Sequence, residues 1–212
     1  FLLSKSKTLA YSHSIPTDPQ SRYIMAESIN EKARTILKNS ERIYSPEQIR
    51  QTIIDLASEL NRDFGSPEQP PPLVLSIMGG AAVFTGHLLP HLDFPLEFDY
   101  INVSRYGNEE YGGELIWKVI PRQNVINRIV IVLDDILDEG QTLLHVREKL
   151  LDMGAAKVVL VVLAEKNTGV VKPVKADYVG LTVPSQYVIG FGMDAEGFWR
   201  NLPDIRILKN KL

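Results

Sequence analysis

Five consecutive apolar residues, four of them β-branched, run straight into a cluster of acids: Ile129-Val130-Ile131-Val132-Leu133, then Asp134-Asp135-Ile136-Leu137-Asp138-Glu139-Gly140-Gln141-Thr142. A strand with one wet face alternates apolar and polar residues. This one does not alternate, so both of its faces must be covered, as in the middle of a parallel sheet. Parallel neighbours need long crossovers, usually helices. The segment therefore restricts the chain to the α/β class, and the remaining sequence fits. Leu73 to Met78 and Val158 to Leu163 are further apolar runs of strand length. Ala81 to Leu89 and Thr142 to Met153 have helical periodicity, with Leu143, Val146, Leu150 and Leu151 turned inward and Gly154 as C-cap. Strand–helix–strand repetition predicts a central, mostly parallel sheet flanked by helices.

The flanks are less regular. Residues 1–24 are rich in Ser, Thr and Pro and have no period. They are read as a tag or flexible extension and set aside, leaving 25–212 as one domain. Residues 26–42 carry a weak helical pattern. Ser45-Pro46-Glu47-Gln48 then offers an N-cap serine, a proline at the first helical position and a capping-box glutamine, so a helix is expected to start there and end near Phe64-Gly65. Ser66 to Pro72 is a proline-rich loop. A strand is expected around Leu96 to Asn102, a glycine-containing loop over Arg105 to Gly113, and its return at Glu114 to Ile120. Asp134 to Gln141 should interrupt the central strand. Shorter strands follow at Tyr178 to Val183 and Tyr187 to Phe191.

Composition removes whole classes of function. The chain of 212 residues has no cysteine, which excludes disulfide scaffolds, thiolate metal sites and cysteine nucleophiles. It also fits a reducing, cytoplasmic setting. A net charge of −3 provides no general attraction to nucleic acid or to an anionic membrane, and no apolar run has the length of a membrane span. His87 and His91 are not read as a metal pair, because Pro90 interrupts the helix between them. Trp117 reads as packing.

What remains is the acidic strand end. Ligands of open α/β sheets bind beyond the carboxyl ends of the strands, and a helix start favours an anion, usually phosphate. Gly140 permits close backbone approach and Thr142 can donate its hydroxyl. Carboxylates beside a phosphate make sense where they hold sugar hydroxyls or magnesium. The segment thus reads as a phosphorylated-sugar site, with Asp134 and Asp135 on the ribose or metal side and residues 138–142 around the phosphate.

This segment resembles the phosphoribosyl-pyrophosphate signature of the type I phosphoribosyltransferases. Further stretches resemble the family's hypoxanthine-guanine branch: Ile77-Met78-Gly79-Gly80 its pyrophosphate loop, Arg105-Tyr106 and the following glycines its flexible loop, Ala164-Glu165-Lys166 its base-contacting lysine, and Val183 to Asp194 through Trp199-Arg200-Asn201-Leu202 its purine hood. The likeness spans roughly residues 40–208 and implies the type I phosphoribosyltransferase fold, with a core over about 44–182 and a small hood built from the N-terminal segment and 183–208. It also implies a purine-salvage enzyme that uses Mg2+, a purine base and phosphoribosyl pyrophosphate, and assembles as a homodimer or homotetramer.

Residue by residue, the resemblance gives Asp138 the proton on N7 of the purine, and gives Glu139, Gly140, Gln141 and Thr142 the 5′-phosphate. Met78, Gly79, Gly80 and Arg200 fall at the pyrophosphate. Lys166 would donate to O6, a match to 6-oxopurines because an ammonium has only donors. Tyr187 would stack on the base and the Val188 backbone would meet its edge. Asp194 joins Asp134 and Asp135 on the metal side. Three residues depart from the usual pattern: Met78, where a basic residue is common; Arg105, where serine is common before the loop tyrosine; and Glu139, where Ser or Thr is frequent. A non-proline cis peptide is expected at Ile77-Met78. The competing expectation from a different class is a protein of the same fold that binds nucleotides or RNA and regulates without catalysis.

Overall fold

The structure, a computed structural model, describes residues 18–105 and 115–209. The chain divides between Lys38 and Asn39 into two units. In the first, the described structure is one helix, α1 (Pro19–Lys38). It takes in Pro19 to Ile24, which the sequence pattern assigns to an extension.

The second unit carries two sheets. The larger is built from β2 (Leu73–Met78), β3 (Glu97–Arg105), β4 (Leu115–Val119), β5 (Ile129–Leu137), β6 (Lys157–Asn167) and β7 (Tyr178–Pro184), in the order β4-β3-β2-β5-β6-β7. All neighbours are parallel except β4, which runs antiparallel to β3. The smaller sheet has the order β1-β9-β8, from β1 (Ser40–Tyr44), β8 (Val188–Ile189) and β9 (Ile205–Leu208). Among the described residues, three α-helices complete the unit, α2 (Pro46–Phe64), α3 (Ala81–Leu88) and α4 (Gln141–Asp152), with a short 3-10 helix at Leu89–His91 following α3.

The central strand is apolar on both sides because it serves two cores. Ile131 and Leu133 join Val159, Val161 and Leu163 of β6 under α2 and α3. Val130 and Val132 face the other way, with Leu160 and Val162, under Leu143, Val146 and Leu150 of α4. Each such fully buried side chain contributes roughly 1.5–3 kcal/mol. Helix α2 starts as its residues dictate: Ser45 accepts from the Gln48 amide, the Gln48 side chain accepts from the Ser45 amide, and Pro46 occupies the first turn.

Three local expectations are corrected. The stretch read as helix to residue 42 is helix only to Lys38; Ser40–Tyr44 instead pairs antiparallel with β9, more than 160 residues away in sequence. The central strand is not interrupted at Asp134. It continues to Leu137, because β6 keeps offering ladder partners (Asp134 opposite Val162, Leu137 opposite Glu165). The last short strand is confined to Val188–Ile189, where β9 pairs with it.

Candidate active site

Beyond the carboxyl ends of β5 and β6 lies a hollow of about 230 Å3, lined by Asp135, Ile136, Asp138, Lys166, Tyr187, Val188, Met193 and Asp194. Two parallel neighbours provide its floor, so Asp138 and Lys166, each just past the last β5–β6 rung, come face to face. The Lys166 ammonium donates to Asp138 Oδ2 in an ion pair. Lys166 is the more buried of the two. Tyr187 stands at the rim, half-exposed rather than packed in the core, and Val188 is buried behind it. Loss of solvent, with the Asp194 charge adding to it, raises the Tyr187 hydroxyl above its usual pKa.

Asp134 and Asp135 extend the strand into this region and are both buried. The Asp135 amide donates to Asp134 Oδ1 at 3.0 Å. Burial first, and the Asp135 charge second, push the Asp134 carboxyl well above the ordinary carboxylate range. Burial also raises Asp135, against the opposing pull of the Asp134 hydrogen bond and the Arg200 charge. Such a pair is poised to receive hydroxyl donors or a cation, either of which relieves the penalty on its charge.

The β5–α4 connection leads from the strand end into α4. Gly140 has φ +88°, a conformation that side chains rarely adopt. A Cβ there would also press on Val174 and Pro173, at 3.2 and 3.3 Å. No side chain caps α4. Helix geometry leaves the first amides of that turn, from Gln141 onward, without intrahelical partners. Glu139 is exposed and Thr142 half-buried.

The β2–α3 turn approaches from the other side. A Cβ on Gly80 would stand 2.0 Å from Asp135 Oδ2, and one on Gly192 would stand 2.1 Å from the Gly80 carbonyl. Gly80 is thus held between the acidic strand end and the 190–192 turn. Arg200 donates to the Gly192 carbonyl at 2.6 Å and pairs with Asp194 at 2.5 Å. The cis peptide falls at Met78-Gly79, one bond later than expected. Met78 still occupies a ladder position opposite Asn102, so the strand ends after it and the turn begins at the glycine.

With this geometry established, likeness to known proteins is informative. Residues 39–196 match the phosphoribosyl transferase domain. A hypoxanthine-guanine phosphoribosyltransferase of Lactococcus lactis is 36% identical over 168 residues, 79% of this chain and 90% of the relative. The chain belongs to the hypoxanthine-guanine phosphoribosyltransferase family. Solved structures agree: a hypoxanthine-guanine-xanthine phosphoribosyltransferase superposes with a TM-score of 0.71 at 33% identity, covering 80% of this chain and 97% of that one. A Staphylococcus aureus hypoxanthine phosphoribosyltransferase gives 0.73 at 32%, with 80% and 91% covered. The expected mostly parallel fold is therefore that of the family, and the non-catalytic regulator gains no support from these relatives.

Of the family positions named above, Tyr106 lies outside the described residues, and Arg105 ends β3 opposite Leu115. Of the remaining candidates, Asp135, Asp138, Lys166, Tyr187, Val188 and Asp194 line the hollow, Gly80 abuts Asp135 and Arg200 pairs with Asp194, whereas Asp134, Glu139, Gly140, Gln141, Thr142, Met78 and Gly79 are not part of that lining. Sequence reasoning missed Ile136 and Met193, which line the hollow, and Lys172, whose ammonium is buried between the ends of β5 and β6. Met193 lies inside the hood stretch and could have been marked there. Lys172 left no signal, since a lysine in a polar loop is ordinarily solvated. His87 packs at a tilt against Phe191, ring centroids 5.0 Å apart, and among the described residues no group of three His, Asp or Glu forms a metal cage. Nor is any described helix long and apolar enough to cross a membrane.

Proposed function

We propose that this family member, a transferase of purine salvage, moves the phosphoribosyl group of phosphoribosyl pyrophosphate to N9 of hypoxanthine or guanine, giving IMP or GMP and pyrophosphate. The observation that carries this reading is the Asp138–Lys166 pair in the wall of a hollow with Tyr187 at its rim. A 6-oxopurine edge offers a carbonyl to the ammonium and an N7 proton to the carboxylate. Tyr187 stacks on the ring, and the Val188 backbone meets its edge. Asp138 accepts the N7 proton as N9 bonds to the sugar.

Glu139, Gly140, Gln141 and Thr142 receive the 5′-phosphate on backbone amides and the threonine hydroxyl, with the Glu139 side chain left outside. The Met78, Gly79 and Gly80 turn, with Arg200, takes the pyrophosphate. Arg105 and Tyr106 anchor a loop that excludes water from the activated sugar. Asp134 and Asp135 hold the ribose hydroxyls. Two buried acids destabilised by their own charge suit magnesium, which takes one or two carboxylates and completes its shell with water and substrate phosphates. Since no three carboxylates converge among the described residues, one or two of Asp134, Asp135 and Asp194 would hold the ion together with water and substrate phosphate, and it would neutralise the departing pyrophosphate.

The core and hood division fits the two sheets, with the small β1-β9-β8 sheet as the hood and residues 1–24 outside the transferase domain. A homodimer or homotetramer is favoured by the apolar end of the large sheet, where Phe98, Tyr100 and Ile116 are exposed, with Arg122 over the Tyr100 ring, opposite the buried Ile101 and half-buried Val103. The cysteine-free composition suits the cytoplasm.

The test is nucleotide formation from phosphoribosyl pyrophosphate, magnesium and each of hypoxanthine, guanine, xanthine and adenine. Asp138→Asn is expected to cut kcat about 10²- to 10⁴-fold while sugar-phosphate affinity holds. Turnover with no base would refute the reading; an unaffected Asp138→Asn variant would refute the proton role.

A further inference from the structure

The loop after β6 is inverted relative to ordinary burial. Val170 and Val171 are 71% and 96% exposed, while the Lys172 side chain, one residue on, is 8% exposed. Burying an ammonium is costly unless its donors are satisfied. Here all three are. Lys172 Nζ donates to the Lys166 carbonyl at 2.6 Å, to the Leu137 carbonyl at 3.0 Å and to Glu165 Oε1 at 3.1 Å. Both carbonyls sit beside the base-recognising side chains: Leu137 immediately precedes Asp138, and Lys166 is itself the other partner. The β5–β6 ladder ends at Leu137 opposite Glu165. At that point, where the rungs run out, the ammonium ties the two strand ends together.

We propose that Lys172 is a positioning residue for base recognition: it fixes the separation between Asp138 and Lys166 without touching the base. This deepens the transferase reading and rests on it. The ribose and phosphate groups are held elsewhere, by Asp134, Asp135 and the α4 start, and no Lys172 bond reaches them. The clip therefore governs the base and leaves the sugar phosphate alone. A merely structural lysine would weaken both substrates together.

The experiment compares wild type with Lys172→Met, which keeps the stem and removes the donors. Thermal melts accompany steady-state kinetics, varying hypoxanthine and phosphoribosyl pyrophosphate separately. The expected result is a KM for hypoxanthine raised on the order of 10-fold, as displacement of a recognition pair by a fraction of an ångström implies, with the KM for phosphoribosyl pyrophosphate within about twofold of wild type. Equal increases in both, or no increase in either, would overturn the inference. Should Lys172→Met lose its cooperative melt, Lys172→Gln carries the same expectation: its shorter amide leaves a polar group in the loop but cannot span three acceptors. A wild type that makes no nucleotide from any base would instead sink the transferase reading, so the two failures are distinct.

Discussion

Gly80 offers a quantitative test of the site. Its missing Cβ would stand 2.0 Å from Asp135 Oδ2, and real Cβ contacts stop at about 3.0 Å, so Gly80→Ala demands at least about 1 Å of movement. The Asp135 carboxylate can yield only into the hollow, away from the position it holds there. Asp135 is buried, and the Gly80 carbonyl is already abutted by the Gly192 backbone. The displacement falls on a carboxylate assigned to the ribose and metal and on an amide assigned to pyrophosphate. A misplacement of 1 Å in such a constellation costs about 10²-fold. Gly80→Ala should therefore lower kcat/KM for phosphoribosyl pyrophosphate about 100-fold. The control is Gly86→Ala in the adjoining helix α3, where a Cβ meets nothing within 4 Å. A mid-helix Gly-to-Ala exchange at an open position gains about 0.5–1 kcal/mol, so this variant should melt a few degrees higher with unchanged kinetics. Steady-state kinetics and melts on both proteins decide the matter. A Gly80→Ala enzyme retaining kcat/KM within a factor of about three of wild type would refute the argument that the turn holds Asp135 in place.

Burial raises the Asp134 carboxyl in the folded chain, so its charged form opposes folding: the stability it allows is full below the ordinary carboxylate range and lost as pH rises through the elevated folded value. Asp134→Asn should accordingly melt higher than wild type at pH 7–8, with the gap closing on acidification, while sugar-phosphate binding falls; melts from pH 8 down towards the ordinary carboxylate range check the sign. Tyr187→Ala removes a half-exposed ring, so the melt should hardly move while base affinity drops by about 1–3 kcal/mol, roughly 5- to 150-fold in KM. Ser45→Ala breaks the reciprocal cap of α2 and should cost about 1 kcal/mol in urea denaturation, with catalysis intact.

The regions of this molecule that could be read from sequence are those whose cause is local. The apolar run at 129–133 implied a doubly covered strand wherever it lay, and Ser45-Pro46-Glu47-Gln48 implied a helix start from its own hydrogen-bonding capacity. The regions that could not be read depend on distant partners. Ser40–Tyr44 is polar and irregular; only β9, reached through the full length of the domain, makes it a strand. Asp134 and Asp135 looked like a break because acids seldom extend a buried strand, yet the β6 ladder carries them onward, and Asp135 emerges in the wall of the hollow. The residues assigned to the base were named by resemblance, not by any local pattern, and those assigned to the phosphate by resemblance together with the strand-end pattern. The ion pair between Asp138 and Lys166, and the buried Lys172 ammonium, emerge only when two strand ends meet.

On the proposed reading, that ion pair makes arrival of the base an exchange rather than an addition. An entering ring has to pull a cation and an anion away from each other and give each a new companion, so it needs a lone pair and an N–H arranged side by side at the right spacing. A ring with only one of these strands the other charge in a half-dry wall. Discrimination is then set less by the fit of the hollow than by what a wrong guest leaves unanswered.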